Sequence, residues 1–382
     1  MYLYQIKNEI TNNVYNLLLL AIVTCLTSCV REDDEPALAK VAISRLYVSF
    51  SDYQLDEGQT PYNNVDIIDP ADSLTHFEPS LSYNSSTKGG AAILFNPIAK
   101  YIFQSSANDG GIVKDTSIQV MSVNPVTGAP ASNGLISNGL LTRVRGLAYH
   151  YNKGTENLYV ADLGEGTRPP SIYLFQRPGS YRGKAKRNQQ ISLGKLIPWT
   201  MAFKNAEDNS DLYVAVNGEK KGIAIFKDIL RKNQPADSVL SETAFPPKAV
   251  LTIADQGEIR GFSYSARQDL LAVASYTSTG GTNVGRILLF EGAGALLAVS
   301  GDRAIQPTRI ITGALTGLKR PLDVAIDNRD GAKYLYVADA DTKIVSRFLI
   351  TDKDNVEPNK KKQYSLTPVA LSLDARGPSE ID

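Results

Sequence analysis

Histidine is almost missing from this chain: only His76 and His150 occur in 382 residues. Chemistry that relies on several histidines, as metal ligands or as acid–base pairs, is a poor fit, and no acid–base partner stands beside either one in sequence. Both read as structural or solvated. Cysteine is equally scarce, with Cys25 and Cys29 both close to the start. Zinc-ligand spacings, glycine-rich phosphate loops and nucleophile elbows do not occur. An excess of one charge is missing too, since 40 basic residues face 40 acidic ones and the formal net charge is zero. No global field draws the chain to nucleic acid, and no nucleic-acid partner is expected. Long apolar runs are absent as well. Leu17 to Val23 is continuous, but the apolar region around it is too short to span a bilayer as a helix.

What the chain does have is repetition. With 43% hydrophobic and 21% charged residues it can bury a large core or several small ones. The clearest unit runs from Lys319 to Ile350. It reads as three short strands, Asp323–Asp327, Tyr334–Asp339 and Ile344–Ile350, with Asp330-Gly331 supplying a tight turn between the first two. Tyr334 to Ala338 is apolar almost throughout instead of alternating, so both faces of that strand should be buried. Asp339 ends it, where a short carboxylate can accept N–H bonds of the next turn.

Copies of the middle strand centre on Tyr47, Ile102, Tyr159, Tyr213, Leu271 and Tyr336, at intervals of 55, 57, 54, 58 and 65 residues. The strand after it recurs as Val65–Ile68, Ile118–Met121, Ile172–Phe175, Ile223–Phe226, Ile287–Phe290 and Val345–Phe348. A preceding strand with small residues recurs at Ala92–Phe95, Gly146–Tyr149, Thr200–Phe203, Gly261–Tyr264 and Asp323–Ile326. Variable segments such as Ala249–Ala254 and Thr308–Gly313 read as a fourth, outer strand. A period near 50 with several short strands per unit predicts an all-β, six-bladed β-propeller with four-stranded blades.

The first unit lacks an inner strand of its own. Ala375-Arg376-Gly377-Pro378-Ser379-Glu380-Ile381 matches Val144–Tyr149 and Ile259–Tyr264 in pattern, so the C-terminal strand is expected to close the ring as the inner strand of blade one. Pro321-Leu322-Asp323-Val324-Ala325-Ile326-Asp327, with Tyr336-Val337-Ala338-Asp339 behind it, resembles an NHL-type repeat of six-bladed propellers. Leu158-Tyr159-Val160-Ala161-Asp162 repeats its second half. Val216 and Ala274 stand where the terminal Asp belongs in blades four and five, so those turns must be capped differently. The resemblance covers most of the chain after residue 42 and implies architecture, not activity.

Leu26-Thr27-Ser28-Cys29 resembles the lipobox of bacterial lipoproteins. That resemblance implies a signal peptide over residues 1–28 and acylation of Cys29, with several acyl chains giving a stable anchor. Residues 29–41 then form an acidic tether, through Glu32-Asp33-Asp34-Glu35, similar to the surface-export tethers of Bacteroidetes-type lipoproteins. The expectation is an outer-membrane lipoprotein of the cell surface, a monomer held to the membrane by its lipid, with the propeller over residues 42–382. Loss of Cys25 with the signal leaves no disulfide to support the fold.

Arg145, Arg260 and Arg376 occupy one repeat position at the mouths of the inner strands, and Trp199 occupies it in blade four. Arg320 stands two residues before Leu322, which takes the position in blade six. Guanidinium groups around an aromatic ring suit an anionic or sugar-acid ligand, through bidentate hydrogen bonds and stacking. Alternatively, each arginine pairs with a carboxylate of a neighbouring blade and ties the blades together. Tyr276, in the polar loop Tyr276–Gly285, belongs to the same face, as does Leu163–Pro170. The basic run Arg177–Lys195, Lys360–Lys362 and Asp352–Asn355 read as solvated loops. The lactonase-like propellers coordinate calcium on the axis with Glu, Asn and Asp. Asp323 and Asp327 lie on an inner strand and could contribute, but the other inner strands offer Ala, Tyr, Met and Phe there, so no cofactor is assigned, with calcium left open. Three functions follow: a non-catalytic module binding a glycan, peptide or protein; a lactonase-like or other hydrolase; or a docking subunit of an outer-membrane uptake complex.

Overall fold

Tyr159 packs in one cluster with Met201, Leu212 and Val214, while its neighbours Leu158 and Val160 pack in another with Phe103, Tyr149 and Phe175. Side chains of a strand alternate between its faces, and here each face meets a different sheet. The same division holds at Tyr213, Tyr336 and Tyr47. This is why the second strand of a unit is apolar throughout.

The computed structural model describes residues 40–54, 58–107, 115–205, 207, 211–230, 237–254 and 257–381. Ala42–Asp382 forms one compact unit of six sheets, each with an antiparallel four-stranded core, arranged as the blades of a propeller. Their innermost strands are Pro368–Arg376 in blade one, then Gly90–Asn96, Val144–Asn152, Leu196–Phe203, Glu258–Ser265 and Pro321–Ile326 in blades two to six. Six apolar clusters lie one at each interface between neighbouring blades. Residues 1–39, with Cys29 and most of the acidic stretch, lie outside the described residues.

The C-terminal strand does close the ring: Pro368–Arg376 pairs antiparallel with Ile43–Phe50. Its register differs from the expected one. The inner strand begins at Pro368, so Ala375 and Arg376 fall at its far end, opposite Ser44 and Ile43. A short 3-10 turn, Pro378–Glu380, follows it.

The blades are not all four-stranded. In blades two, three and four a fifth strand pairs in parallel on the outer edge, and each time it comes from the following blade's connection between third and fourth strands. Arg182–Lys184 joins Leu135–Ser137, Ser238–Leu240 joins Gln189–Ile191, and Arg303–Ile305 joins Leu251–Ile253. Blade five receives a single bridge, Ile311 to Asp354. Blade six receives side-chain contacts instead: the buried Arg347 donates to the carbonyls of Ala71 (2.7 Å) and Ser73 (2.9 Å) in the blade-one connection. In the blade-two connection the Val126 carbonyl accepts from Arg45 of blade one at 3.1 Å, so each blade clasps the one before it.

Three basic or acidic stretches read as solvated loops take part in this arrangement. Arg182–Lys184 is a sheet edge, Lys360–Gln363 is the outer strand of blade six, and the Asp354 N–H donates to the Ile310 carbonyl at 2.6 Å. Repeated charge masked their strand character, because an outer edge strand faces water on one side. His150 is buried against the Phe203 ring, with centroids 4.8 Å apart, and His76 is exposed.

Candidate functional site

At the start of every inner strand the chain carries one residue more than its partner strand. Arg145 is extra between the pairs Val144–Asp162 and Gly146–Ala161. Leu322 and Val369 are extra in the same way in blades six and one. In blades two, four and five, Ala91-Ala92, Trp199-Thr200 and Arg260-Gly261 each oppose one residue. A β-bulge re-aims a side chain that the ladder would otherwise hold. Here the six bulges are aligned around the axis, and their first residues line one cavity of about 500 Å³, within the range of small-molecule sites. Close approach of the blades enforces small residues at the next position: a Cβ on Gly146 would lie 2.2 Å from the Trp199 carbonyl oxygen, and one on Gly261 would meet the Asp323 carboxylate at 2.1 Å.

Arg145, Trp199 and Arg260 come together, although they are far apart in sequence. The Arg260 guanidinium lies 4.4 Å from the Trp199 ring centre and 5.1 Å from that of Tyr276, and that of Arg145 lies 5.7 Å from Trp199. Arg260 donates to the Tyr276 hydroxyl (2.9 Å), to Glu258 (3.2 Å) and to the Ile259 carbonyl (3.1 Å), and Arg145 donates to the Val144 carbonyl (3.1 Å). These bonds fix the planes of the two cations. Burial pushes the Glu258 carboxyl up, but the hydrogen bond from Lys221 and the Arg260 charge outweigh it and hold that pKa below its usual value. Glu258 thus answers two cations with one charge, and its pairing with Lys221 (2.8 Å) crosses from blade five to blade four. Arg260 therefore has a stacked position in the cavity wall and an ion pair, but the carboxylate belongs to its own strand and not to a neighbouring blade.

Arg320 also lines the cavity, with its Nε 2.5 Å from Asp341. Asp341 in turn accepts from Asn283 at 2.7 Å. Asn283 belongs to the hairpin Leu270–Glu291, whose two strands of ten residues are the longest of the fold and carry Tyr276 at the height of the mouth. Arg376 does not join the group. It sits at the other end of the blade-one inner strand, paired with Asp374 (2.7 Å) and over the Phe95 ring. The residue at its expected place is Val369.

Asp323 is the one carboxylate in the lining. Its oxygens accept the N–H groups of Val324 (2.9 Å) and Leu371 (2.8 Å), the second across the seam between blades six and one. Burial pushes its pKa up to about 7, against the lowering effect of those two bonds. Asp327 is paired with Arg329 instead, at 3.0 and 3.2 Å from its Nε. A calcium ion needs six to eight oxygen ligands. The lining offers one carboxylate whose oxygens are already engaged, and among the described residues no three His, Cys, Asp or Glu are grouped to hold a metal. The residues present do not fit the axial calcium of a lactonase-like site.

Other expectations about turns are met. Asp162 accepts the N–H groups of Thr142, Arg143 and Gly164, and Asp339 those of Lys319 and Thr342. In blade four, where Val216 replaces the aspartate, Asn217 bonds Ile259 in both directions across to blade five. Sequence reasoning missed Glu258, Asn283 and Val369 at the mouth. Glu258 opens the blade-five inner strand and Asn283 lies in the extended blade-five hairpin, neither with a repeated residue type to mark it; Val369 was hidden by the register of the closing strand.

No protein-family model and no curated protein matches the chain. Among solved structures, the periplasmic gluconolactonase PpgL of Pseudomonas aeruginosa is 13% identical over 87% of this chain and 99% of its own, with a TM-score of 0.52. AztD of Citrobacter koseri is 11% identical over 88% and 99%, with a TM-score of 0.40. Sqt1 of Chaetomium thermophilum, bound to the N-terminus of ribosomal protein L10, is 11% identical over 83% and 87%, with a TM-score of 0.46. At such identities the likeness to PpgL is one of fold: the chain is a six-bladed β-propeller, and its function has to be argued from its own cavity.

Proposed function

We propose that this protein is a lipid-anchored propeller of NHL type in the bacterial cell envelope. It acts as a binding module for an anionic ligand, a free acid or the acidic group of a glycan or protein partner, and performs no chemistry on it. The observation that carries this reading is the packing of Arg145 and Arg260 on Trp199 at the mouth of a closed-walled cavity. Guanidinium planes held by stacking and by Tyr276 lose little freedom when an anion arrives, and a semi-enclosed site strengthens their attraction. Cavity-lining charge supports the same sign: Arg145, Arg260 and Arg320 against Asp323, whose raised pKa leaves it largely uncharged below neutral pH.

A lactonase-like hydrolase is not favoured, because the cavity supplies neither the oxygen ligands for calcium nor a base beside a nucleophile. A docking role in an outer-membrane complex uses the same face and differs only in what brings the acidic group. The address rests on the lipobox at Cys29, expected to be the acylated first residue of an outer-membrane, surface-exposed monomer. Mass spectrometry of the N-terminus tests that part, with Cys29→Ala releasing the protein from membranes. For the site, a titration with small organic acids, sugar acids among them, and with their neutral counterparts should show preference for the acids that weakens with salt. Equal affinity for acids and neutral counterparts at both salt concentrations contradicts it.

A further inference from the structure

We infer that the ligand of this cavity is an amphipathic organic anion, an aryl or acyl carboxylate, and not a sugar acid. This rests on reading the cavity as an anion site and names the rest of the molecule that the site takes. The ground is the order of the bulge residues around the axis. Blades three, four and five present Arg145, Trp199 and Arg260 in succession; blades six, one and two present Leu322, Val369 and Ala91. The six bulge residues are therefore divided into a cationic, aromatic half and an apolar half, with Arg320, held by Asp341, at the border on blade six and Ser51 and Thr367 also in the lining.

Two polar groups beneath the apolar half are already tied to the backbone: the Ser372 hydroxyl accepts the Phe95 N–H at 2.7 Å, and the two oxygens of Asp323 accept the N–H groups of Leu371 and Val324. A sugar acid presents hydroxyls around its whole ring. Seated with its carboxylate on Arg260, it would lay hydroxyls against Leu322, Val369 and Ala91, and a buried hydroxyl without a partner weakens binding about tenfold or more. An aryl or acyl body loses nothing there, since its own apolar surface leaves water as it meets theirs. Trp199, beside the arginines, offers such a body a flat face, so charge and apolar surface can both be matched by one small molecule.

The test is calorimetric titration of the full chain carrying Cys29→Ala, in detergent-free buffer, with three probes: 2-naphthoate, its neutral counterpart 2-naphthalenemethanol, and glucuronate. The expected result is that 2-naphthoate binds at least tenfold more tightly than either other compound. Val369→Asn, at a half-buried position, should weaken 2-naphthoate at least fivefold and should not weaken glucuronate. Glucuronate binding as tightly as 2-naphthoate, with both lost in Arg260→Gln, overturns this inference and leaves the anion site standing. 2-Naphthalenemethanol binding as tightly as 2-naphthoate, and indifferently to Arg260→Gln, overturns the anion site as well. Absence of 2-naphthoate binding at millimolar concentration overturns the inference outright.

Discussion

The Arg260 guanidinium rests 4.4 Å from the centre of the Trp199 ring, and Trp199 is the single tryptophan of the chain. Tryptophan emission therefore reports on the cavity mouth and on nothing else. Arg260→Ala should uncover the ring and shift its emission to longer wavelength, while leaving the melting temperature within a few degrees, since Arg260 is only partly buried. An unchanged emission spectrum would mean that the cation and the ring are not in contact in solution.

Asp323 gives a pH dependence of known sign. Burial raises its pKa from the ordinary 3.8 to about 7 in the folded protein. Below pH 4 both states carry the proton and the full contribution to stability is present; as pH rises through 7 the folded state loses it too, and the contribution is gone. The loss is on the order of 4 kcal/mol at most, at about 1.4 kcal/mol per unit. Asp323→Asn should therefore gain stability relative to wild type as pH rises from 4 to 7. Thermal melts of the two proteins that run parallel across this range would rule out the raised pKa.

Closure of the ring predicts a sharp position effect. Ending the chain after Leu366 removes the whole strand Pro368–Arg376 and leaves an edge of Ile43–Phe50 unpaired, so the propeller should lose cooperative folding and aggregate. Ending it after Arg376 removes a short turn and one partly exposed ion pair between Arg267 and Glu380, with an effect below about 1 kcal/mol. Similar melting curves for both truncations would show that the seam is held by something other than this strand.

Arg347 tests the clasp between blades six and one. It is fully buried, lies 4.2 Å from the centre of the Tyr334 ring, and donates to Ala71, Ser73 and Asn359. Arg347→Met keeps the bulk and takes this donor from the buried Ala71 carbonyl and the partly buried Ser73 carbonyl, a loss of about 2 kcal/mol. Urea unfolding with a change under about 0.5 kcal/mol would show that the blade-one connection does not depend on it.

Much of this fold is legible in the sequence because second strands have no choice: Tyr159 and Tyr336 sit between two sheets, and only apolar runs survive there. The inner strands at Gly146, Gly261 and Asp323 were legible for a related reason, since converging backbones exclude large side chains. The closing strand was legible in existence but not in register. Arg376-Gly377 imitates Arg145-Gly146 by sequence, whereas Pro368-Val369-Ala370, without charge or glycine, is what pairs at the mouth with Phe50 and Ser49. Apolar content decided the register, because Leu371 must reach the cluster of Val48 and Tyr336. The fifth strands were illegible because three exposed residues such as Arg182-Gly183-Lys184 carry no periodicity to read. At the site, Arg145, Trp199, Arg260, Tyr276 and Arg320 share a repeat position or a face and were found by that. The apolar half of the mouth was not, since Leu322, Val369 and Ala91 look like any core residue until the bulges show where they point.

The most direct measurement is a titration with 2-naphthoate followed by Trp199 fluorescence, on wild type and on the Arg145→Gln, Arg260→Gln double variant, with melting temperatures taken in parallel. The account predicts a loss of affinity of at least tenfold in the double variant with a melting temperature changed by no more than a few degrees. Unchanged affinity together with a markedly lowered melting temperature would contradict it, and would make the two arginines ties between blades.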